Sequence, residues 1–390
     1  MLQLLRNAEL YAPEARGRQH LLVGGGSVLW TGPDEPSLDR SLGVEVVDLA
    51  GRRVIPGLID GHVHLTGGGG EAGYETRVPP VPLSRFTTSG ITSVVGLLGT
   101  DDVARDTASL VATTRGLEAE GISAWCYTGG YHYPPTTLTG SVRGDMVHID
   151  RVIGVGEVAI SDHRSSQLTL DELLKLAGEA HVGGLMTGKA GVVHLHVGDG
   201  ERGLDLVRRA LATSELPARV FNPTHVNRRR GLFDEAMALA GRGVTSDVTA
   251  FPVAEGEDAW SAADAVVRWR DAGLPLERLT VSSDAGGCLP VFDEDGRVRH
   301  MDVGAPGALA GTLRELLARG LPLEQVVRVF TINVARLLRL PRKGALVTGA
   351  DADLVVLDDA GAVTDVMARG RWHVRDRIAT VRGTFEGAIA

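Results

Sequence analysis

Lysine is nearly missing from this 390-residue chain: Lys175, Lys189 and Lys343 stand against 37 arginines. Any chemistry that needs a lysine therefore has three positions to draw on. Cysteine is scarcer still. Cys126 and Cys288 lie far apart and form no paired metal or redox spacing, so free thiols in a reducing compartment are expected and a disulfide is not. No run approaches the roughly 18 to 20 apolar residues that cross a bilayer, and the start MLQLLRNAEL lacks the basic stretch and apolar core of a signal peptide. The expected setting is the cytoplasm, with no membrane partner. Positive charge is also short: 40 Lys plus Arg face 49 Asp plus Glu, a formal net charge of −9. The densest basic run is Arg228-Arg229-Arg230, too little to neutralise a nucleic-acid backbone, so nucleic acid is set aside as a partner.

Glycine is abundant, 51 residues without a fixed period, and it punctuates strands and loops. Residues 1–56 read as short β segments between Gly and Pro turns. From about Leu58 eight apolar strand candidates follow: LIDGHVHL, ITSVVGLL, ISAWCYTG, VIGVGEVAI, GVVHLHVGD, ARVFNPTHV, GVTSDVTAF and LTVSSDAGG. Helical patterns such as DDVARDTASLVATTRGLEAEG, LTLDELLKLAGEA and DLVRRALAT lie between them, and GTLRELLARG and LEQVVRVFTINVARLLRL come after the eighth. Eight β/α alternations at this length predict an α/β fold, a closed (β/α)8 TIM barrel over 57–343. The tail returns to β character, so 1–56 plus 344–390 are expected to form one small β-sandwich domain from both chain ends.

The residues with chemistry cluster at the C-terminal ends of the strand candidates, which is the catalytic end of such a barrel. His62 and His64 form an H-x-H pair at the first strand; residues two apart share a strand face, so both imidazoles can meet one metal ion. Hydrogen-bonded core histidines are the plain alternative for that pair alone. His196 and His225 end the fifth and sixth strands, and Asp284 ends the eighth. Imidazole and carboxylate together suit zinc, and a divalent ion brings the pKa of bound water to about 7. His194 shares the face of His196 one layer deeper and reads as a structural core histidine. His132, His163 and His181 are given no role, and Lys189 reads as solvated or as a subunit contact.

PGLIDGHVHL, the strand-end His196, His225 and Asp284, and the closing GALVTGADADLVVLD resemble the amidohydrolase superfamily of metal hydrolases. HVHLTGGGGEAG, TSVVGLLGTD, AISDHRSS and PTHVNR narrow the resemblance to its isoaspartyl dipeptidases, nearly end to end. The resemblance implies hydrolysis of the β-aspartyl amide bond of isoaspartyl dipeptides by metal-bound hydroxide, with two Zn2+ ions per chain bridged by Glu157 and the hydroxide, a single ion remaining open. It implies His62 and His64 on the more buried ion and His196 and His225 on the more exposed one. Asp284 would be a ligand and the general base, and Tyr131 would stabilise the oxyanion. Glu71 would pair with the substrate's α-amino group, Arg164 and Arg228 with its carboxylates, and Thr100 and Cys288 would add contacts. A homo-oligomer, an octamer, is implied as well. Taken alone, Tyr131 also reads as a buried tyrosine bonded to backbone, Glu71 as a loop tip, and the two arginines as surface ion-pair residues. Another amidohydrolase activity, such as removal of an N-acyl group from an amino acid or amino sugar, is the alternative, and a non-catalytic scaffold stands behind it.

Two positions depart from the family pattern. Its best-known members carry a carboxylated lysine at the end of the fourth strand, and some relatives a glutamate; here the count back from Arg164 lands on Glu157, and no lysine is near. Glutamate reaches about 3 to 4 Å less far, on the order of one strand residue, so the backbone has to supply the difference. Gly156 is an apparent insertion, and a bulge there is expected to push Glu157 toward the metals. Cys288 stands where the family has a serine, and a thiol is the weaker donor.

Overall fold

Strands covered by helices outside and by packed side chains inside are buried on both faces, and in the computed structural model the eight apolar runs become eight parallel, almost wholly buried strands. The structure describes residues 2–292 and 298–387; the outermost positions of the predicted end domain, 1 and 388–390, lie outside the described residues. The barrel strands are Leu58–Val63, Ile91–Gly96, Ser123–Thr128, Val152–Ile160, Val192–Val197, Phe221–Thr224, Ser246–Thr249 and Leu279–Ser282. The first six pair in sequence order, and the seventh pairs with the eighth.

The two remaining seams are closed largely by side chains and single bridges. Between the sixth and seventh strands, Asn222 Nδ2 donates to Thr245 O at 2.8 Å. Asn227 accepts from Thr249 N at 2.8 Å and donates to Thr249 O at 3.0 Å. Between the eighth and the first, Val63 bridges Ala285, and His64 N donates to Ala285 O at 2.9 Å. Those seams therefore lie beside His62, His64, His225 and Asp284, and the backbone ties that close the barrel also locate the strand-end side chains.

Helix starts follow capping chemistry more than hydrophobic pattern. The helix expected from 101 begins at Thr107, because Asp106 caps it by accepting Ser109 N at 2.7 Å, while Asp101 accepts Ala104 N in a preceding turn. Leu170–Thr187 opens with a Thr169/Glu172 capping box and runs seven residues beyond the expected end, stopping at Gly188 with φ 71°. The long helix expected after Pro322 is broken into Leu323–Val326, a 3-10 turn at Val327–Phe330 and Ile332–Leu337. Thr331 at the break turns its hydroxyl onto Val327 O at 2.7 Å. An antiparallel pair, Cys288–Phe292 with Val298–Val303, follows the eighth strand and was not expected from the sequence.

Both chain ends meet in one sheet of nine strands among the described residues. Arg53–Pro56 from the front of the chain runs antiparallel to Leu354–Leu357 from the back, with Ile55 opposite Val355. Leu5, Leu10, Leu21, Val54, Leu354 and Met367 pack in the sheet's own apolar core. Lys343 ties this sheet to the barrel: its buried ammonium bonds Asp353, lies 2.8 Å from an Asp351 carboxylate oxygen and donates to Ser123 Oγ at 2.6 Å. Lys189 was expected to be solvated, and the structure corrects this. Its ammonium donates to Met146 O at 2.6 Å and Ile149 O at 2.7 Å, satisfying carbonyls at the end of helix Val142–His148.

Candidate metal centre and substrate cavity

Strand alternation aims His62 and Glu157 into the barrel, while His64, His225 and Asp284 sit just beyond their strands. His225 and Asp284 take positive φ values of 61° and 53° there. For non-glycine residues that conformation is costly and persists only where surrounding structure holds it. The bulge expected at Gly156 is present: along the pairing with the fifth strand, Val155 faces Val193 and Val158 faces Leu195, so Gly156 and Glu157 together oppose His194 alone. A Cβ at Gly156 would come within 2.8 Å of His194 Cβ and His194 O, so only glycine allows this approach.

The six predicted ligands converge. His62 Nε2 and His64 Nε2 lie 3.3 and 3.1 Å from Asp284 Oδ1, and His64 Nε2 lies 3.3 Å from Glu157 Oε1. Glu157 Oε2 is 3.1 Å from His196 Nδ1 and 3.3 Å from His225 Nε2. Two trios, His62/His64/Asp284 and His62/Glu157/His225, each keep their donor atoms within 4.8 Å of one another. His62 belongs to both trios and His196 to neither, while Glu157 reaches His64 with one oxygen and His196 and His225 with the other.

The surroundings prepare these atoms for a cation. Asn222 spends its amide N–H on Thr245 O, so its Oδ1 accepts from His194 Nδ1 at 2.7 Å. His194 Nε2 then accepts from His62 Nδ1 at 2.8 Å, which leaves the His62 Nε2 lone pair facing the cluster. His225 Nδ1 is held by Thr249 Oγ1 at 2.7 Å, turning its Nε2 to Glu157. His62 Nε2 and Asp284 Oδ1 are buried without a hydrogen-bond partner, an arrangement costly for polar atoms unless something else satisfies them.

Electrostatics agree. Burial alone would raise the Glu157 carboxyl, but His62 and His196 hold it well below the usual carboxylate range. Burial opposes ionisation of Asp284 likewise, and His62 and His64 reverse it. Burial pushes His225 down to about 3, and burial with the neighbouring His62 does the same for His194. Burial lowers His64, yet the Asp284 and Glu157 carboxylates outweigh it and raise the imidazole to about 10. Imidazole nitrogens and carboxylates together are the donor set that a divalent ion of the zinc type takes.

A cavity of about 580 Å³ opens above this cluster, and every predicted substrate residue borders it: Glu71, Thr100, Tyr131, Arg164, Arg228 and Cys288. Glu71 Oε1 accepts from Thr100 Oγ1 at 3.1 Å and from Arg164 Nη1 at 3.2 Å, so the predicted readers of opposite charge lie side by side. Tyr131 is buried, its hydroxyl 2.8 Å from His196 Nδ1. Burial, then the Glu157 charge, raises its pKa well above the usual value, so it remains a donor. Arg228 is more peripheral, 3.7 Å from the exposed Asp199. Cys288 opens the unexpected hairpin, and burial, then Glu71, pushes its thiol up to about 12.

His194, read from the sequence as a structural core histidine, is buried and also holds His62. Two supporting residues were not singled out from the sequence. Asp162, two residues before Arg164, carries no local signal. Asp102 accepts His132 Nδ1 at 2.7 Å and His132 N at 3.3 Å, tying the loop that bears Tyr131 to the loop after the second strand.

Several known proteins share this fold. A β-aspartyl dipeptidase from Fervidobacterium islandicum AW-1, solved in complex with the β-Asp-Leu dipeptide, superposes with a TM-score of 0.91. It is 40% identical, covering 97% of this chain and 99% of that one. A dihydroorotase from Pelotomaculum thermopropionicum is 28% identical over 359 residues, 82% of this chain and 80% of its own. Dihydropyrimidinase from Brevibacillus agri NCHU1002 shares the fold at a TM-score of 0.67 and 18% identity, covering 98% of this chain and 97% of that one. The amidohydrolase family model matches residues 53–373, from the last strand before the barrel into the returning end sheet; the chain belongs to the amidohydrolase family.

Proposed function

We propose that this chain is a metal-dependent dipeptidase that hydrolyses the β-aspartyl amide bond of isoaspartyl dipeptides, with two zinc ions held by His62, His64, Glu157, His196, His225 and Asp284. The observation that carries the reading is the placement of a carboxylate and a guanidinium, Glu71 and Arg164, in the same cavity as the donor cluster. An isoaspartyl residue presents a free α-amino group and a free α-carboxylate beside its side-chain amide. That is the charge pair these two side chains complement.

Bound at the cluster, divalent ions supply Lewis-acid polarisation of the scissile carbonyl and an acidified water. The protein's own groups do the rest. Glu71 takes the α-ammonium, and Thr100 steadies its carboxylate. Arg164 takes the α-carboxylate, and Arg228, nearer the rim, takes the carboxylate of the leaving residue. Tyr131 donates its hydroxyl to the carbonyl oxygen as negative charge develops there. Asp284 accepts a proton from the attacking water and delivers it to the amine that leaves. Cys288 borders the substrate as a weak donor.

The reading includes a two-part chain, 1–56 plus 344–390 beside a barrel of 57–343, and a cytoplasmic homo-oligomer, an octamer. The number of subunits rests on the resemblance, and light scattering tests the assembly. Among the described residues no helix is long and apolar enough to cross a membrane. Activity is tested by comparing isoAsp-Leu with an N-acetylated amino acid as substrates of the zinc-loaded protein, together with metal content per chain. Cleavage of the acetylated compound alone would overturn the assignment.

A further inference from the structure

Asp162 lies in none of the roles above, yet its carboxylate engages two residues that line the cavity, Arg164 and His196. Its side chain is 3% exposed. It accepts Arg164 Nε at 3.0 Å and Nη2 at 2.8 Å in a two-pronged pair, and the Arg164 backbone N–H at 2.7 Å. The same carboxylate meets His196 Nε2 at 3.0 Å, on the ring edge opposite the nitrogen that faces Glu157. Gly198 makes the room: a Cβ there would lie 2.4 Å from Asp162 Cβ and 2.5 Å from its Oδ2. Ser161 turns through a positive φ of 52° immediately before it, aiming the carboxylate back toward the fifth strand.

We infer that Asp162 is a positioning residue that couples the metal centre to substrate recognition, by orienting the His196 ring with one oxygen while both oxygens anchor the Arg164 guanidinium. The inference rests on the metal and dipeptide reading above. Chemically, a carboxylate that accepts the outer N–H of a ligating imidazole fixes its tautomer and raises its basicity, and losing such a partner costs typically 10- to 100-fold in metal affinity or activity. A guanidinium held in a fork presents its remaining N–H groups in one direction, here toward Glu71 at 3.2 Å and the cavity. One side chain therefore sets both the affinity of the second ion and the binding of the substrate's α-carboxylate.

Asp162→Asn tests this in the full-length protein. Zinc affinity is read by competition with a chromophoric chelator, and steady-state kinetics on isoAsp-Leu are read at saturating zinc. Expected are weaker binding of one zinc by about 10- to 100-fold and, with zinc saturating, a raised KM. The conservative Arg164→Lys should raise KM without changing zinc affinity, and its effect on KM should be less than additive with that of Asp162→Asn. Unchanged zinc affinity, unchanged KM, or additive KM effects would each overturn the coupling. Asp162→Ser, smaller beside Gly198, repeats the test if the amide variant melts early. Failure of the wild-type protein to retain zinc or cleave isoAsp-Leu would instead overturn the functional reading, so the two failures are distinguishable.

Discussion

His194 Nε2 stands 2.8 Å from His62 Nδ1, and Asn222 Oδ1 stands 2.7 Å from the other nitrogen of His194. The relay fixes which His62 nitrogen faces the donor cluster. Replacing His194 by Phe, which keeps the ring and removes both nitrogens, should lower metal retention by about 10- to 100-fold. Metal content after dialysis against a weak chelator measures it. Undiminished retention would return His194 to a packing role.

Gly156 is where the fourth strand yields to bring Glu157 inward. Gly156→Ala forces a methyl against the His194 backbone, 2.8 Å from its carbonyl oxygen. The expected outcome is a loss of about 1 to 3 kcal/mol from overpacking, seen as a lower Tm, together with reduced metal content. Gly178→Ala on the helix Leu170–Thr187 meets nothing within 4 Å and should instead gain about 0.5 to 1 kcal/mol. Equal effects at both sites would remove the bulge from the argument.

No lysine is placed to carry a bridging carbamate. Lys175 is exposed on a helix, Lys189 is engaged by the carbonyls of Met146 and Ile149, and Lys343 by Ser123 and Asp353. Protein stripped of metal should therefore regain full activity on isoAsp-Leu with zinc alone in bicarbonate-free buffer. A requirement for added bicarbonate would contradict a glutamate bridge.

The end sheet should set part of the acid stability. His373 is buried with both ring nitrogens unpartnered, and burial, then Arg371, pushes its pKa down to about 4. A histidine whose folded pKa is depressed binds more protons when unfolded. Its contribution is complete above the ordinary value near 6.5 and is lost as pH falls through about 4. Urea unfolding across that window should show stability declining toward acid, and His373→Phe should flatten the slope. An unchanged slope would assign the acid sensitivity to other groups.

How far the sequence reached depended on the length scale of each signal. The fourth strand was read to the residue, Val152–Ile160, because a buried parallel strand is a continuous apolar run bounded by turns. His62, His64, His196, His225 and Asp284 were legible because strand-end position is itself a local property. Helix ends were less so: Asp106 and Thr169 decide them through individual hydrogen bonds that compete with hydrophobic period.

By itself the sequence determined the eightfold alternation, the return of the C-terminal segment to β structure, the donor types at the strand ends and the exclusion of a lysine bridge, all of which follow from composition and short spacing. Only the tertiary structure decided which donors face one another. His62 and His194 are 132 positions apart, and Asp162 and His196 are 34 apart. Their contacts exist because the barrel curls strands of different sequence address around one axis. The Gly156 bulge became effective through the same closure: an extra residue in an isolated strand has no direction, but against His194 on the neighbouring strand it turns Glu157 inward.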